Sequence, residues 1–319
     1  MSRQPLDQIA DQLHRSGEYR VIRKYQKPQG YNLDNPTNNK KLIGAFLDIE
    51  ATGLSYSNDK LIELGIVKFE YTEDGHIFRL LDEFSGYQDP NKPIPEYITK
   101  LTGITDEAVR GWQIDEAEVT EYLQNVDLII AHNAQFDRTF FEMTFPSVSA
   151  KAWSCSMYDV NWNAEDISSH KLEYIAYKYG FFYEGHRAVI DCLAGIHILA
   201  QELPNSKQLV LKQLLTNALD IRFKLYAINS PYESKDLLKA RGYRWSMNQN
   251  DKHRAWSVEL TEDGVAEEIN YLRSNIYGGS SINIPVEIFD AYSSFSNNNK
   301  HDPLKYHEKL EWFQNLYLG

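Results

Sequence analysis

The chain has 319 residues, 42% of them hydrophobic and 13% aromatic, and its 33 basic against 45 acidic side chains leave a formal net charge of −12. That length supports one large domain or a domain with a smaller companion, and the acidic balance excludes a protein that clings to nucleic acid or anionic membrane through bulk charge. Cys155 and Cys192 stand far apart without metal-ligand spacing, which excludes a disulfide framework or zinc site, and a polar start with no membrane-length apolar run leads us to expect a soluble, cytoplasmic protein.

In chain order, residues 7–16 fit a short helix and residues 19–27 a strand or extended arm carrying Arg20, Arg23, Lys24 and Lys27, a solvated edge or a nucleic-acid contact. Residues 30–40, rich in Asn and Pro, read as loop. Leu42 opens an apolar run that reads as a buried strand, yet it carries Asp48 and Glu50 where Val, Ile or Leu belongs. Strand alternation points both carboxylates to one face and Ile49 to the other. Two such groups repel and lose solvation unless a cation lies between them, although Asp-x-Glu also occurs on exposed strand faces. Thr52-Gly53 then breaks the strand.

Strands follow at 61–71 and 77–84 around Asp74-Gly75, a hairpin signal, so the sheet opens as an antiparallel meander. Pro90, Pro93 and Pro95 force an extended crossing before a short helix, 97–102, stopped at Gly103. A helix ends near 119–125, and the apolar strand 127–131 runs directly into His132-Asn133-Ala134-Gln135-Phe136-Asp137. Such strand-to-helix junctions carry ligand-binding groups in α/β sheets. Phe136 and Phe140 share one face of the next helix, while Asp137 reads equally as a first-turn acid complementing the helix dipole. Residues 153–160 resume strand character with Cys155 inward, 171–180 form a helix ended by Gly180, and a second helix runs from 185 to 203. His186 stands at its entrance and Asp191 one to two turns in, among Ala188, Cys192, Ala194 and Gly195.

In this order and spacing, Asp48-x-Glu50, His132-Asn133-x-x-Phe136-Asp137 and His186-x4-Asp191 resemble the DEDD superfamily of 3′–5′ exonucleases, in the branch with a histidine in its third motif. The likeness runs from about Leu42 to Leu203 and takes in Leu101-Thr102-Gly103-Ile104. It implies an α/β, ribonuclease H-like mixed sheet, antiparallel meander then parallel strands, flanked by helices. It also implies two Mg²⁺ or Mn²⁺ ions held by Asp48, Glu50, Asp137 and Asp191, with Asp48 shared between them. Oxygen-only ligation suits those ions. His186 would be the general base. Thr52, Gly53 and Leu54, with Leu101, His132, Asn133 and Phe136, would receive the terminal nucleotide of single-stranded or frayed DNA 3′ ends, or of RNA. Asn133 reads equally as a brace for its loop. A non-catalytic binding or scaffolding module would show a lost carboxylate, and none is lost.

Past the likeness, residues 208–218 fit a helix whose Gln208-Leu209-Val210-Leu211 is faintly similar to a sliding-clamp peptide, or is simply amphipathic. A strand at 223–228, a helix at 234–240 capped by Ser234, a hairpin of 243–245 with 255–260 and a helix at 267–271 make a small α+β domain, similar to a module that accompanies some bacterial exonucleases. Between Tyr232 and Trp256, Lys235, Lys239, Arg241, Arg244, Lys252 and Arg254 mix with Tyr243, Trp245 and Trp256. That mixture suits a strand-guiding surface or, for the tryptophans, a core. Residues 304–318 suggest a final helix. The domains expected are an N-terminal basic extension, 1–40, an exonuclease domain, 41–204, a connecting helix, 205–222, and the α+β domain, 223–319.

Overall fold

The computed structural model describes residues 3–32, 39–148, 150–245, 254–279 and 284–297. The expected Asn248 to Asp251 turn, Lys252 and the helix at 304–318 lie outside the described residues. The chain divides into two compact units, Met1–Asn217 and Ala218–Gly319.

In the first unit, helix α1 (Arg3–Arg15) and strand β1 (Arg23–Lys24) precede strands β2 (Leu42–Ala51), β3 (Leu61–Tyr71) and β4 (Ile77–Tyr87). Helices α2 (Glu96–Thr102), α3 (Asp106–Val109) and α4 (Glu116–Leu123) lead to β5 (Leu128–Ala131), α5 (Ala134–Thr144) and β6 (Trp153–Cys155). Then come α6 (Leu172–Lys178), β7 (Phe181–Phe182), α7 (Ala188–Leu199) and α8 (Val210–Leu219), the last running across the division between the units. The main sheet has the order β4-β3-β2-β5-β6. Its first three strands pair antiparallel, and β5 joins β2 and β6 joins β5 in parallel. An antiparallel meander whose first strand takes a parallel partner on its free edge is the ribonuclease H-like arrangement, so the expected fold class holds.

The buried segments Ala45–Leu47, Leu61–Val67 and Leu128–Ala131 fill the sheet interior, and β5, covered on both faces, is accordingly a continuous apolar run. Helix α7 lies against the face of β2 that carries Phe46, Asp48 and Glu50. A Cβ built on Gly195 of α7 would meet the Phe46 ring at 2.2 Å, and one built on Gly65 of β3 would lie 2.5 Å from the backbone nitrogen of Val189. Gly65 is the cross-strand partner of Asp48. Any side chain there would lift the start of α7 away from the two acids.

Two strand and helix ends come earlier than expected. The strand at 153–160 ends at Cys155, because the Asp159 carboxylate turns back to accept from Cys155 N–H at 2.7 Å and from the Ser154 hydroxyl at 3.1 Å. Helix α7 stops at Leu199 rather than at 203, where Glu202 leaves to bridge Leu209. Val210 and Leu211 are fully buried in α8, so the peptide-like segment serves an ordinary amphipathic helix. The basic arm is taken up internally: Arg20 donates to the carbonyls of Tyr177 and Lys178, Arg23 pairs with Asp7, Lys24 with Glu184 and Lys27 with Glu83. Both cysteines are free and buried. Among the described residues no helix is long and apolar enough to cross a membrane.

The second unit is a four-stranded antiparallel sheet, β11-β8-β10-β9, formed by β8 (Arg222–Ala227), β9 (Arg244–Trp245), β10 (Trp256–Thr261) and β11 (Val286–Phe289). Helices α9 (Lys235–Ala240) and α10 (Glu262–Tyr271) pack Leu238, Val265 and Ile269 onto Phe223, Leu225 and Ala227. Ser234 does not cap α9: it is buried with helical φ and ψ in a 3-10 turn, Tyr232–Ser234, and makes no side-chain cap bond.

Candidate active site

Asp48 and Glu50 stand at the end of β2, and Asp191 occupies the first turn of α7 that Gly65 admits. One carboxylate oxygen from each of these three residues lies within 4.8 Å of the others. Asp137, in the first turn of α5, approaches from another side, its Oδ1 accepting from Ile49 N–H at 3.2 Å between the two β2 acids. Like charges at 4.8 Å cost roughly 3 kcal/mol per pair at an effective dielectric of about 20, and Asp137 and Asp191 are almost fully buried. Burial is the first cause that pushes these carboxyls up, joined at Asp48 and Glu50 by the neighbouring acids and opposed at Asp137 and Asp191 by backbone N–H bonds: Asp48 and Asp137 lie well above the usual carboxylate range, Glu50 at about 8 and Asp191 at about 6. An all-oxygen set with unmet negative charge is what a hard divalent cation requires.

The neighbouring acid is treated differently. Glu63 is the cross-strand partner of Glu50 and is 1% exposed. It receives Arg187 through Nε at 3.2 Å and Nη2 at 3.1 Å, and its second oxygen accepts from Ala188 N–H at 3.1 Å. Glu63 thus caps the start of α7 by a charge-assisted bond. Arg187 N–H in turn donates to Asp191 at 3.1 Å, and its guanidinium also reaches the Tyr87 hydroxyl at 2.9 Å.

His186, just before α7, has φ 63 and a half-exposed ring whose Nε2 lies 3.6 Å from Glu173 of α6. His186 directly precedes Arg187, whose backbone N–H holds Asp191. Tyr183 lies beside the same acids, its phenol pushed up by burial and by the charges of Asp191 and Glu173.

Thr52 and Gly53 are held from beneath by Asp59, whose carboxylate accepts from the Thr52 hydroxyl and Ser55 N–H at 2.9 Å each and from Lys92 at 3.0 Å. Burial alone would push Asp59 up, but these bonds keep it below the usual range. A Cβ on Gly53 would strike the Asp59 carboxylate at 2.5 Å. Leu54, next in the loop, is 83% exposed, and Leu101 of α2 is 50% exposed. Tyr56 ties the loop to α5 through the rings of Phe136 and Phe140, at centroid distances of 6.3 and 5.4 Å.

His132 has both ring nitrogens engaged. Nε2 meets the His170 carbonyl at 2.7 Å and so must donate, leaving Nδ1 to accept from the Ser156 hydroxyl at 2.9 Å. Burial holds this imidazole neutral by pushing it down to about 4. Only its carbon edge is left for a ligand. Asn133, at φ 76, takes the left-handed turn into α5, a conformation that Asn tolerates.

Glu63, Arg187, Asp59, Tyr56, Glu173 and Tyr183 were not singled out from sequence. The signal available for Glu63 was a lone acid inside the apolar run Leu61-Ile62-Glu63-Leu64, the same oddity that marks Asp48.

Residues 45–199, about half of the chain, match the exonuclease family model of the RNase T type. This stretch is an exonuclease-family domain. The exonuclease domain is similar to part of the PolC-type DNA polymerase III of Clostridium perfringens, 34% identical over 167 residues, which are 50% of this chain and 11% of that protein. The corresponding polymerase of Staphylococcus epidermidis is 30% identical over 206 residues, 62% of this chain and 13% of that protein. The chain thus spans about a tenth of the length of these curated relatives. Among solved structures, Escherichia coli exonuclease I in complex with a dA16 oligonucleotide is similar at 14% identity and a TM-score of 0.48, covering 73% of this chain and 71% of that one. Exonuclease X with 5′-overhanging duplex DNA is similar at 19% identity and a TM-score of 0.39, covering 55% and 98%.

Proposed function

We propose that the protein is a metal-dependent 3′–5′ exonuclease of the histidine branch that releases nucleoside 5′-monophosphates from DNA. The observation that carries this reading is the meeting of Asp48, Glu50 and Asp191 within 4.8 Å inside the exonuclease-family domain, with His186 next in sequence to Arg187, whose N–H holds Asp191. Asp48, Glu50 and Asp191, joined by Asp137, would hold two Mg²⁺ or Mn²⁺ ions. Bound there, such ions make water a nucleophile near neutral pH and offset charge on the phosphoryl group. The protein's own part is to place the strand end and move the proton. His186 takes a proton from the attacking water, while Glu173, 3.6 Å from Nε2, orients the ring and stabilises its charged form. The new O–P bond forms as the P–O3′ bond breaks, and the leaving 3′ oxygen ends protonated. Thr52-Gly53-Leu54, made rigid by Asp59, receives the terminal nucleotide, and the exposed Leu54 packs on its base. Leu101, Asn133, Phe136 and the carbon edge of His132 complete the walls. Contacts of this kind read base faces rather than base identity, as suits single-stranded or frayed ends.

DNA is preferred over RNA in this reading because the relatives named above are DNA polymerases by name; the same likeness supports a polymerase or repair context, and a cytoplasmic setting is proposed with it. The domain scheme proposed with it keeps the catalytic residues within 41–204 and a separate α+β module from about 223. The test uses 5′-labelled DNA and RNA strands of one sequence with Mg²⁺ or Mn²⁺. A ladder shortening from the 3′ end on DNA, lost in EDTA and in Asp48→Asn, is expected. Faster shortening of the RNA strand reassigns the substrate, and metal-independent release overturns the mechanism.

A further inference from the structure

In the second unit, Trp245 of β9 is the direct cross-strand partner of Trp256 of β10, their rings 5.7 Å apart and nearly perpendicular. The two tryptophans are not equivalent. Trp256 is partly buried against the core of the unit, whereas Trp245, on a two-residue edge strand, is 50% exposed. Lys239 of α9 places its ammonium 5.8 Å from the Trp256 ring. One helical turn earlier, Lys235 lies 4.5 Å from the ring of Tyr232 and donates to its hydroxyl at 3.1 Å, and Tyr232 is 75% exposed. Residues four apart share a helix face, so these contacts join into one stripe: Tyr232, Lys235, Lys239, Trp256, Trp245. Arg244, the neighbour of Trp245 on β9, pairs with Ser257 and points to the other face of the sheet.

Charge is deployed differently along this stripe from elsewhere in the unit. Arg241 is consumed by Glu268 at 2.6 Å and by the Tyr271 ring at 3.9 Å. Lys235 and Lys239 have no carboxylate partner among the described residues; Asp236 projects about 100° round the helix from Lys235 and, three positions before Lys239, makes no ion pair with it. A protein of net charge −12 that sets two ammonium groups, without a carboxylate partner among the described residues, against aromatic rings presents a local site for phosphates and flat apolar faces. A duplex hides its base faces by stacking; a single strand offers them.

We propose that the second unit holds a single nucleic-acid strand on this stripe, with bases stacked on Trp245 and Tyr232 and phosphates paired with Lys235 and Lys239. The proposal rests on the nucleic-acid reading of the exonuclease domain, and its test separates the two. The full-length protein is titrated in EDTA, where no hydrolysis occurs, into a fluorescein-labelled thymidylate strand of about 20 nucleotides, read by anisotropy. Trp245→Ala weakens binding about fivefold or more, the loss of one stacked base; Trp245→Phe restores most of it, and Lys235→Glu with Lys239→Glu weakens it further and flattens its salt dependence. Trp112→Ala, at a 60% exposed tryptophan of the first unit, leaves it unchanged. A small chromogenic ester of thymidine 5′-monophosphate, which needs only the active site, is hydrolysed equally by the wild type and all four variants. Unchanged strand affinity in the stripe variants, with intact melting temperatures, overturns the proposal and leaves the exonuclease reading standing. Absence of ester hydrolysis in the wild type overturns that reading, while the EDTA titration still decides the stripe. A dimer that Trp245→Ala dissociates without change in strand affinity makes the stripe a self-association face and also overturns the proposal.

Discussion

Glu50 and Glu63 face each other on adjacent strands, yet they live in opposite circumstances. Glu63 is almost completely buried and fully answered by Arg187 and the Ala188 N–H. Glu50 is more accessible, but burial and the charges of Asp191 and Glu63 push it up to about 8, against only a modest opposing pull from Arg187. The contrast separates a carboxylate the fold uses for itself from carboxylates kept unanswered, whose missing partner must come from solution.

The largest effect expected from breaking that contrast is on turnover. Asp48→Asn or Asp191→Asn should lower 3′-end release by more than the roughly 10²–10³-fold that loss of one preorganised electrostatic group costs. The same substitutions should raise the metal-free melting temperature, since they remove repulsion; a clear fall would mean that these acids serve the fold. His186→Ala should reduce turnover by roughly 10²–10⁴-fold with metal binding retained, and an unaltered pH–rate profile would contradict its role as base.

Glu63→Gln should do the reverse of Asp48→Asn. It leaves Arg187 and the start of α7 poorly satisfied and should cost about 1–3 kcal/mol of stability, with activity falling only as far as Asp191 is displaced. Gly65→Ala forces a Cβ to within 2.5 Å of Val189 N, and moving α7 to relieve it should cost about 1–3 kcal/mol together with activity. Wild-type stability with full activity in Gly65→Ala would show that α7 need not lie so close.

How much of this was legible in the sequence follows from the same pair. Asp48-x-Glu50 could be recognised because two acids at strand spacing in an apolar run have no local remedy. Glu63 shows the same local anomaly, but its remedy, Arg187, is 124 positions away and no periodicity reveals it. Motif order is what points to the four carboxylates and His186, and the structure brings three of the acids into one group with Asp137 against the strand between two of them. Asp59 escaped notice because its work is hydrogen bonding across a loop, where acids are ordinary. The element misplaced was set by a side-chain bond to backbone, Asp159 ending β6, and the one not expected was set by a distant edge: β11 exists by pairing with β8.

The smallest effect sharpens the comparison by pH. With Glu50 raised from 4.5 to about 8 and Asp191 from 3.8 to about 6, the metal-free folded protein binds protons that the unfolded chain has released. This contribution is fully present below the unfolded values and is lost as pH rises through the folded ones, so metal-free stability should decline between about pH 4.5 and 8. Added Mn²⁺ should therefore raise the melting temperature more at pH 8 than at pH 5.5, and an equal rise at both would argue against these groups as ligands.

The central claim, that the unanswered acids form a two-ion site, is tested most directly by following Mn²⁺ binding by electron paramagnetic resonance in the presence of a nucleoside 5′-monophosphate. Two ions per wild-type chain, with binding lost in Asp48→Asn and retained in Glu63→Gln, is the predicted result. Unaltered binding in Asp48→Asn, or none in the wild type, would contradict it.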